Sequence, residues 1–435
     1  METIFALSSG KLPSGVAVIR VSGEMVKTIV KTLLQKMPEP RVMTYGKLLS
    51  ADGGFLDSAL TVFFPGPKSF TGEDCAEFHL HGGKAVVERF LNELQNYEHC
   101  RLAEPGEFSR RAFINGKLDL TEAEGLADLI EAETESQRRL AIMGASGKLA
   151  SIYRQWRKEL INARAMIEAE LDFSDEEDVL GSVSDVIWQK LGLLNKSIMD
   201  FIEKSRRVAT MRDGIKVVIA GPANVGKSSI INKIAGRSVA IVTDEEGTTR
   251  DALETRLVLN GYPILLTDTA GLRATENKVE KIGIEVAYER VKDADLVLLV
   301  EDLSNPIPIK LPQTKAEIWH IGNKIDLANG SVKKWPIQFS TKTGDGFQSF
   351  INKLETFCEK FSYETGEVVT ARRRQLNLLE HTTEEIGKAI EGVADDLSIR
   401  AEHLRLAADS LGKITGDIDV EDILDVIFSE FCVGK

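Results

Sequence analysis

Ile215-Lys-Val-Val-Ile-Ala-Gly-Pro-Ala-Asn-Val-Gly-Lys-Ser228 decides the fold of the middle of this chain. Residues 215–220 read as a strand buried on both faces, because apolar side chains follow one another without polar alternation. The stretch that follows, Gly221 to Ser228, satisfies G-x-x-x-x-G-K-[ST] in the strand–loop–helix context the pattern requires. Gly221 and Gly226 let backbone N–H groups turn inward around a β-phosphate, and the following helix adds the positive end of its dipole. Lys227 is placed to reach β/γ oxygens and Ser228 to hold Mg2+.

Three more segments follow in the order a GTPase needs. Asp268-Thr269-Ala270-Gly271 comes after the strand Pro263 to Leu266, where a carboxylate reaches a metal shell and a glycine N–H meets a γ-phosphate. Asn323-Lys324-Ile-Asp326 follows another apolar stretch, and Asp326 can accept from both guanine N1–H and N2–H, which adenine cannot satisfy. Ser340-Thr341-Lys342 sits where a closing loop presents backbone N–H to guanine O6. A nucleotide-binding domain is therefore predicted from about Asp213 to Phe361. Leu272 stands where many GTPases carry the Gln that orients the attacking water, so another group must position it.

Outward from this domain the chain is an ordinary globular one of 435 residues, 43% hydrophobic and 28% charged, long enough for two or three domains. A net charge of −13 argues against coating nucleic acid nonspecifically. Arg110-Arg111, Arg138-Arg139, Arg154 with Arg157-Lys158, Arg206-Arg207 and Arg372-Arg373-Arg374 are short basic clusters that read as solvated helix faces. No apolar run is long enough for a bilayer, and Met1-Glu-Thr-Ile-Phe lacks the build of a signal peptide. Cys75, Cys100, Cys358 and Cys432 are scattered without metal-type spacing. The expectation is a cytoplasmic protein, with no membrane partner.

The first 118 residues read as mixed α/β, with strands at Val16–Val21, Ala59–Phe64 and Ala76–Leu80 and a helix from Lys84 to Leu94. His79 and His81 fall on one face of a strand, with no further ligand cluster near them. Thr121 and Glu124 form a capping-box pair that opens a long helical stretch. Leu149, Ile152, Trp156, Leu160, Ile167 and Leu171 share one helical face, and Ile187, Leu191, Leu194, Ile198 and Phe201 repeat the period after an acidic break. Thr210 to Gly214 reads as a linker. After Phe361 helices return, with Leu376, Leu379, Ile386 and Ile390, then Ile423, Ile427 and Phe431. Their apolar faces need partners, and the helices before residue 208 are the simplest ones. The fold class is thus α/β plus all-α: an N-terminal α/β domain (1–118), a helical domain in two parts (119–210 and 363–435), and an inserted P-loop GTPase domain (211–362) of Ras-like α/β type.

Gly247-Thr-Thr-Arg-Asp251 and Asp268-Thr-Ala-Gly-Leu-Arg273 extend the pattern around the nucleotide loops. Outside them stand Pro105-Gly-Glu-Phe-Ser-Arg-Arg-Ala-Phe-Ile-Asn-Gly-Lys-Leu-Asp-Leu120 and the terminal Phe431-Cys-Val-Gly-Lys435, which are not general GTPase features. With these residues the whole chain resembles the bacterial MnmE (TrmE) family of tRNA-modification GTPases. The family usually ends Cys-Ile-Gly-Lys; Val433 replaces Ile here, a volume-conservative change.

The resemblance implies a homodimer that joins an FAD-carrying, MnmG-like flavoprotein in a heterotetramer or larger assembly. Its substrate would be the wobble uridine (U34) of certain tRNAs, modified at C5 with a one-carbon unit from a tetrahydrofolate derivative. The product would be of the carboxymethylaminomethyluridine type, and GTP hydrolysis, assisted by K+, would drive a conformational cycle in which the G domains meet.

The resemblance also implies site residues. GTP contacts would come from Asn224, Val225, Gly226, Lys227, Ser228 and Ser229, and from Thr243, Gly247, Thr248 and Thr249. Asp268, Thr269, Ala270 and Gly271 would add to them, with Asn323, Lys324, Asp326, Ser340, Thr341 and Lys342. Mg2+ would be held by Ser228, Thr249 and Asp268, and K+ by Asn224, Thr243 and Thr248. Glu280 matches the acidic residue that orients the catalytic water, Cys432 is a second catalytic candidate, and Arg20, Glu77 and Lys117 match a folate pocket.

Taken alone, several of these residues read more plainly. Glu280 is the solvated start of a helix, Asn224 a turn residue, and Arg20 a strand-end arginine facing solvent. Arg250 or Arg273 could serve as an arginine finger in cis. Cys432 fits nucleophilic, redox or structural roles equally, although Ile427, Phe428 and Phe431 predict that the terminus docks. The alternative function is a GTP switch that docks on RNA or the ribosome without covalent chemistry.

Overall fold

A computed structural model describes residues 2–172, 183–236, 254–268, 289–307, 311–328, 335–361, 368–370, 372–392, 396–418, 421–429, 431 and 434. The chain forms two compact units: one of Met1–Ala127, Gly144–Leu191 and Glu384–Lys435, the other of Asp128–Met143 and Gly192–Thr383.

The first unit holds a six-stranded sheet in the order β3-β4-β5-β2-β1-β6. Its strands are β1 (Thr3–Leu7), β2 (Ser14–Ser22), β3 (Thr44–Leu49), β4 (Phe55–Phe64), β5 (Cys75–Gly82) and β6 (Cys100–Leu102). Alternation sorts its residues. Phe5, Ile19, Val21 and Phe78 enter one core with Ile29 and Leu33 of α1 (Val26–Leu34) and Phe90 of α2 (Lys84–Gln95). On the other face Ile4 and Ala6 pack with Phe108 of α3 (Glu107–Ile114) and with Phe70.

In α6 (Lys148–Asp172), Leu149, Trp156, Leu160 and Ile167 are buried as the periodicity requires. Tyr153, fully buried, takes the place expected for Ile152, which is half-buried. The partner of α6 is α11 (Leu397–Thr415), which the sequence reading did not single out; Leu404, Leu411 and Ile414 are its buried stripe. Leu424, Ile427 and Phe428 of α12 (Glu421–Ser429) cluster with Phe431 and with Leu120, Ala123 and Ala127 of α4 (Leu120–Glu131). The last two C-terminal helices, α11 and α12, therefore do find apolar partners among earlier helices.

Two local expectations need correction. The cap of α4 is Asp119 with Glu122, not Thr121 with Glu124. Asp119 Oδ1 accepts from Glu122 N–H at 3.0 Å, and Glu122 Oε2 accepts from Asp119 N–H at 2.8 Å. Thr121 and Glu124 are both buried. Nor is Thr210–Gly214 a linker: α7 (Val183–Asp213) runs through it, and the chain turns only at Gly214, whose φ is +92°.

The second unit contains α5 (Glu135–Gly144, all but its last residue) and a six-stranded sheet in the order β12-β11-β10-β7-β9-β8. Its elements are β7 (Ile215–Ala220), α8 (Lys227–Ala235), β8 (Glu254–Leu259), β9 (Tyr262–Asp268), β10 (Leu296–Asp302), β11 (Glu317–Asn323), β12 (Ile337–Gln338) and α9 (Phe347–Glu359). All pairs are parallel except β8 with β9, as expected for the inserted α/β fold. β7 is buried on both sides, with Ile215, Val217 and Ile219 in one core and Val218 and Ala220 in the other. The next strand in the chain, β8, returns by way of β9 on one side of β7, and β10 lies on the other. The strand order thus reverses at β7, which opens a crevice at its carboxyl end. α10 (Arg373–Glu391) follows the second crossing of the chain.

The basic clusters are not all solvated faces. Arg111 is 5% exposed and bonds Glu73 and Glu107, and the Arg372 side chain is 11% exposed and bonds Asp128. Arg138, Arg139, Arg154 and Arg206 are more exposed and also pair with carboxylates. Among the described residues no helix is long and apolar enough to cross a membrane.

Candidate nucleotide-binding site

Residues 221–226 join β7 to α8 across the crevice. Asn224 (φ +64°) and Gly226 (φ +99°) are left-handed, the kind of turn in which successive N–H groups point into a concavity that suits an anion. Gly226 before α8 has no side chain to cap it, and the start of the helix turns the positive end of its dipole to the crevice. A Cβ on Gly226 would stand 2.4 Å from Asn323 Nδ2, so no other residue fits there. Lys227 is buried, and its ammonium donates to the Gly221 and Pro222 carbonyls at 3.0 Å each.

Asp268 closes β9 beside this loop. Ser228 Oγ donates to Asp268 Oδ2 at 3.4 Å, while Oδ1 is buried without a hydrogen-bond partner among the described residues. An orphaned carboxylate oxygen beside a hydroxyl is a hard-oxygen donor set that fits Mg2+. Thr269, Ala270 and Gly271, with Thr243, Gly247, Thr248, Thr249, Glu280 and Cys432, lie outside the described residues.

Asn323 is fully buried at the end of β11 and joins the loops. Its Nδ2 donates to the Val225 carbonyl at 2.7 Å, and its Oδ1 accepts from Thr341 N–H at 3.2 Å. Lys324 (φ +64°) donates to the Asn224 carbonyl at 2.8 Å and to Asp302 Oδ2 at 2.5 Å. These two side chains are spent on bracing, whereas Asp326 is exposed. Ser340 is buried, its Oγ accepting from the N–H groups of Lys342 at 3.2 Å and Thr343 at 3.1 Å. Asn224, Ser228 and Ser229 are exposed on the same segment, and Val225 is buried under it.

Two residues here escaped the sequence reading. Asp302, the last residue of β10, accepts from Lys324 and from Ser304 N–H and Oγ. Burial pushes its carboxyl up, but these donors outweigh burial and hold it below the usual aspartate range. Lys233 donates to the Thr341 carbonyl at 2.7 Å and ties α8 to the 340–342 loop. Its place at the carboxyl end of a parallel strand was a usable signal for Asp302; Lys233 had none.

A second group of candidates lies on the N-terminal sheet. Arg20 on β2 faces Glu77 on β5 in direct register, and its Nε and Nη2 donate to Glu77 Oε1 at 3.1 and 2.9 Å. The guanidinium stands 5.3 Å from the Phe70 ring and 5.8 Å from that of Phe108. His79 shares the face; its Nε2 is 3.6 Å from Glu77 Oε2 and has no hydrogen-bond partner among the described residues. A charged pair, two rings and an orphaned imidazole nitrogen suit a flat ligand with polar edges. Lys117 is exposed and borders the same 70–72 loop, through Gly72, without being brought to Arg20 or Glu77 by any described contact. His81 on this face pairs with Asp57 instead.

At the other terminus, Phe431 is buried, and Gly434 (φ +95°) accepts from Ser8 Oγ at 2.8 Å, so the residues flanking 432–433 dock as the apolar pattern predicted.

A family model described as MnmE helical domain matches residues 120–432, and one described as GTP-binding protein TrmE N-terminus matches residues 3–117. The tRNA modification GTPase MnmE of Bartonella tribocorum is 63% identical over 435 residues, covering 100% of both chains. Its counterpart in Brucella anthropi is 55% identical over 434 residues, covering 100% of this chain and 98% of the relative. Among solved structures, the G domain of the T. maritima FeoB iron transporter is 26% identical, covers 33% of this chain and 98% of its own, and has a TM-score of 0.27.

Proposed function

The chain belongs to the MnmE (TrmE) family of tRNA modification GTPases, and from that premise we propose that it is the GTP-hydrolysing component of a wobble-uridine modifying complex. The observation that carries the nucleotide part is Asn323, which bonds both the 221–228 and the 340–342 loops and so draws three distant segments into one crevice.

In this reading the N–H groups of 224–229 and the Lys227 ammonium receive the phosphates of GTP, where preorganised donors stabilise developing charge. Asp326 accepts from the guanine edge, and the 340–342 loop closes on O6. Mg2+, held by Ser228 and Asp268 with Thr249, would neutralise β/γ-phosphate charge. Asn224 with Thr243 and Thr248 would hold K+, which supplies cationic charge beside the phosphates. Glu280 orients the attacking water, the task Leu272 cannot perform.

The Arg20–Glu77 face would take a tetrahydrofolate derivative, with Lys117 meeting its acidic tail, as donor of the one-carbon unit for C5 of U34. The chain would act as a cytoplasmic homodimer with an FAD-bearing flavoprotein and tRNA, and Cys432 would serve the modification step. The domain limits 1–118, 119–210, 211–362 and 363–435 belong to this proposal.

The test is steady-state GTP hydrolysis in KCl and in NaCl at equal ionic strength. Stimulation by potassium that is lost on changing Asn224 or Glu280 is expected; equal rates would remove K+ from the reading. Tetrahydrofolate titration and nucleoside analysis of tRNA from cells carrying only this chain test the remainder.

A further inference from the structure

Asp128, near the end of α4, receives both crossings of the chain between the helices and the inserted α/β segment. Arg212, at the end of α7, donates from Nε to Asp128 Oδ1 at 2.8 Å. Arg372, directly before α10, donates from Nη2 to the same oxygen at 2.7 Å and from Nε to Oδ2 at 3.3 Å. The outgoing and returning segments are also tied by Thr370 N–H to Ser205 Oγ at 3.2 Å, and Gln137 Nε2 holds the Arg212 carbonyl at 3.1 Å.

A carboxylate has lone pairs enough for both guanidinium groups, and its charge is what lets two cations share a partly buried place. Arg212 Nη1 also donates to Asp213 Oδ1 at 2.9 Å, a tie within the outgoing crossing, whereas the Asp128 carboxylate joins the outgoing and returning crossings to each other. The clasp therefore does more than add two bonds: one charged group ties both crossings to the same point of α4.

Beside it lies a cavity of about 260 Å³, lined by Asp128, Arg212 and Gln137 and, from the β8–β9 hairpin, by Arg256, Pro263 and Leu265. β9 ends at Asp268, the candidate metal ligand. The hairpin thus borders the clasp across this cavity, while on its other side β9 is paired with β7. Toward its other end, α4 gives Leu120, Ala123 and Ala127 to the cluster that holds α12.

We propose that Asp128 is a positioning residue, a clasp that fixes both ends of the inserted segment to α4 so that movement of β9 is passed into α4 instead of being absorbed by slack crossings. This rests on the reading above, in which GTP turnover drives tRNA modification.

The experiment compares the full chain with Asp128→Asn, Arg372→Gln and the double variant. Hydrogen–deuterium exchange at 206–214 and 368–376 should speed up about tenfold in Asp128→Asn, with β7 and β10 as protected as before. GTP hydrolysis should stay within about twofold, while wobble-uridine modification in cells falls about tenfold or more. The double variant should cost less than the sum of the two single changes, because the Asp128–Arg372 tie is lost in both. Unchanged exchange at both crossings, or modification at the parent level, overturns the proposal. If Asp128→Asn does not fold, Arg372→Gln decides: it must loosen 368–376 with the strands intact, and failure to do so overturns the clasp. A parent chain that hydrolyses no GTP would sink the functional reading, while the exchange data would still judge the clasp.

Discussion

The nucleotide crevice and the Arg20–Glu77 face are built in opposite ways. In the crevice the backbone is the binding surface: left-handed turns at Asn224, Gly226 and Lys324 are held in place by side chains that face inward. On the N-terminal face the backbone is an ordinary sheet, and register alone brings Arg20 against Glu77 and His79 beside it. A loop-built site carries its information in adjacent residues and tolerates little change. A sheet-built site spreads its information over distant strands, and single changes alter it by degrees.

The comparison breaks most sharply at Asp326, the exposed carboxylate of the loop-built site. Asp326→Asn should weaken GTP binding about 10^3-fold, roughly the loss of two charge-assisted bonds. Xanthosine triphosphate, whose base edge suits an amide, should bind the variant better than GTP in a competition titration. Undiminished GTP affinity would place the base elsewhere. Next in size is Lys227→Ala, which removes the charge proposed to meet the phosphates and should lower the rate of hydrolysis about 10^2- to 10^3-fold. Single-turnover measurements with saturating nucleotide separate that loss from weaker binding.

These two positions were legible in the sequence because Gly221–Ser228 and Asn323–Asp326 are contiguous, and each residue type there has a chemical reason to follow its neighbour. Partners were not legible. The sequence marks Arg111 and Arg372 as charged but cannot show Glu73 or Asp128 across the fold, so both read as solvated when they are largely buried. The cap of α4 went to Thr121 and Glu124 because they satisfy the spacing; Asp119 and Glu122 satisfy it as well, and only the backbone geometry chooses between them. Tyr153 and Ile152 sit one step apart on α6, and the larger ring took the buried place that periodicity gave to its neighbour. Arg20 and Glu77 were grouped only through resemblance, and their pairing was not read at all, since β-strand register joins residues that the sequence separates.

Glu77→Gln sharpens the contrast from the sheet side. Loss of one charged partner should weaken tetrahydrofolate binding about tenfold and leave GTP hydrolysis unchanged. Calorimetric titration of the full chain measures the first and a phosphate-release assay the second. Parent-level folate affinity in the variant would remove Glu77 from the pocket.

The smallest expected effect lies inside the crevice, at the brace the sequence did not reveal. Asp302→Asn keeps the shape of the side chain but removes its charge from Lys324, which also supports the Asn224 carbonyl. An ion pair of this partial exposure is worth about 1 kcal/mol, so GTP affinity should fall about three- to tenfold. Its pH dependence follows from the sign of the shift. The folded-state carboxyl is held below the ordinary 3.8, so its support is complete above that value and is lost as pH falls through the lower, folded one. Parent and variant affinities measured from pH 8 to pH 5 should therefore run parallel. If their difference closed within that range, Asp302 would be titrating near neutrality, and the Lys324 pairing would not be what holds the Asn224 turn.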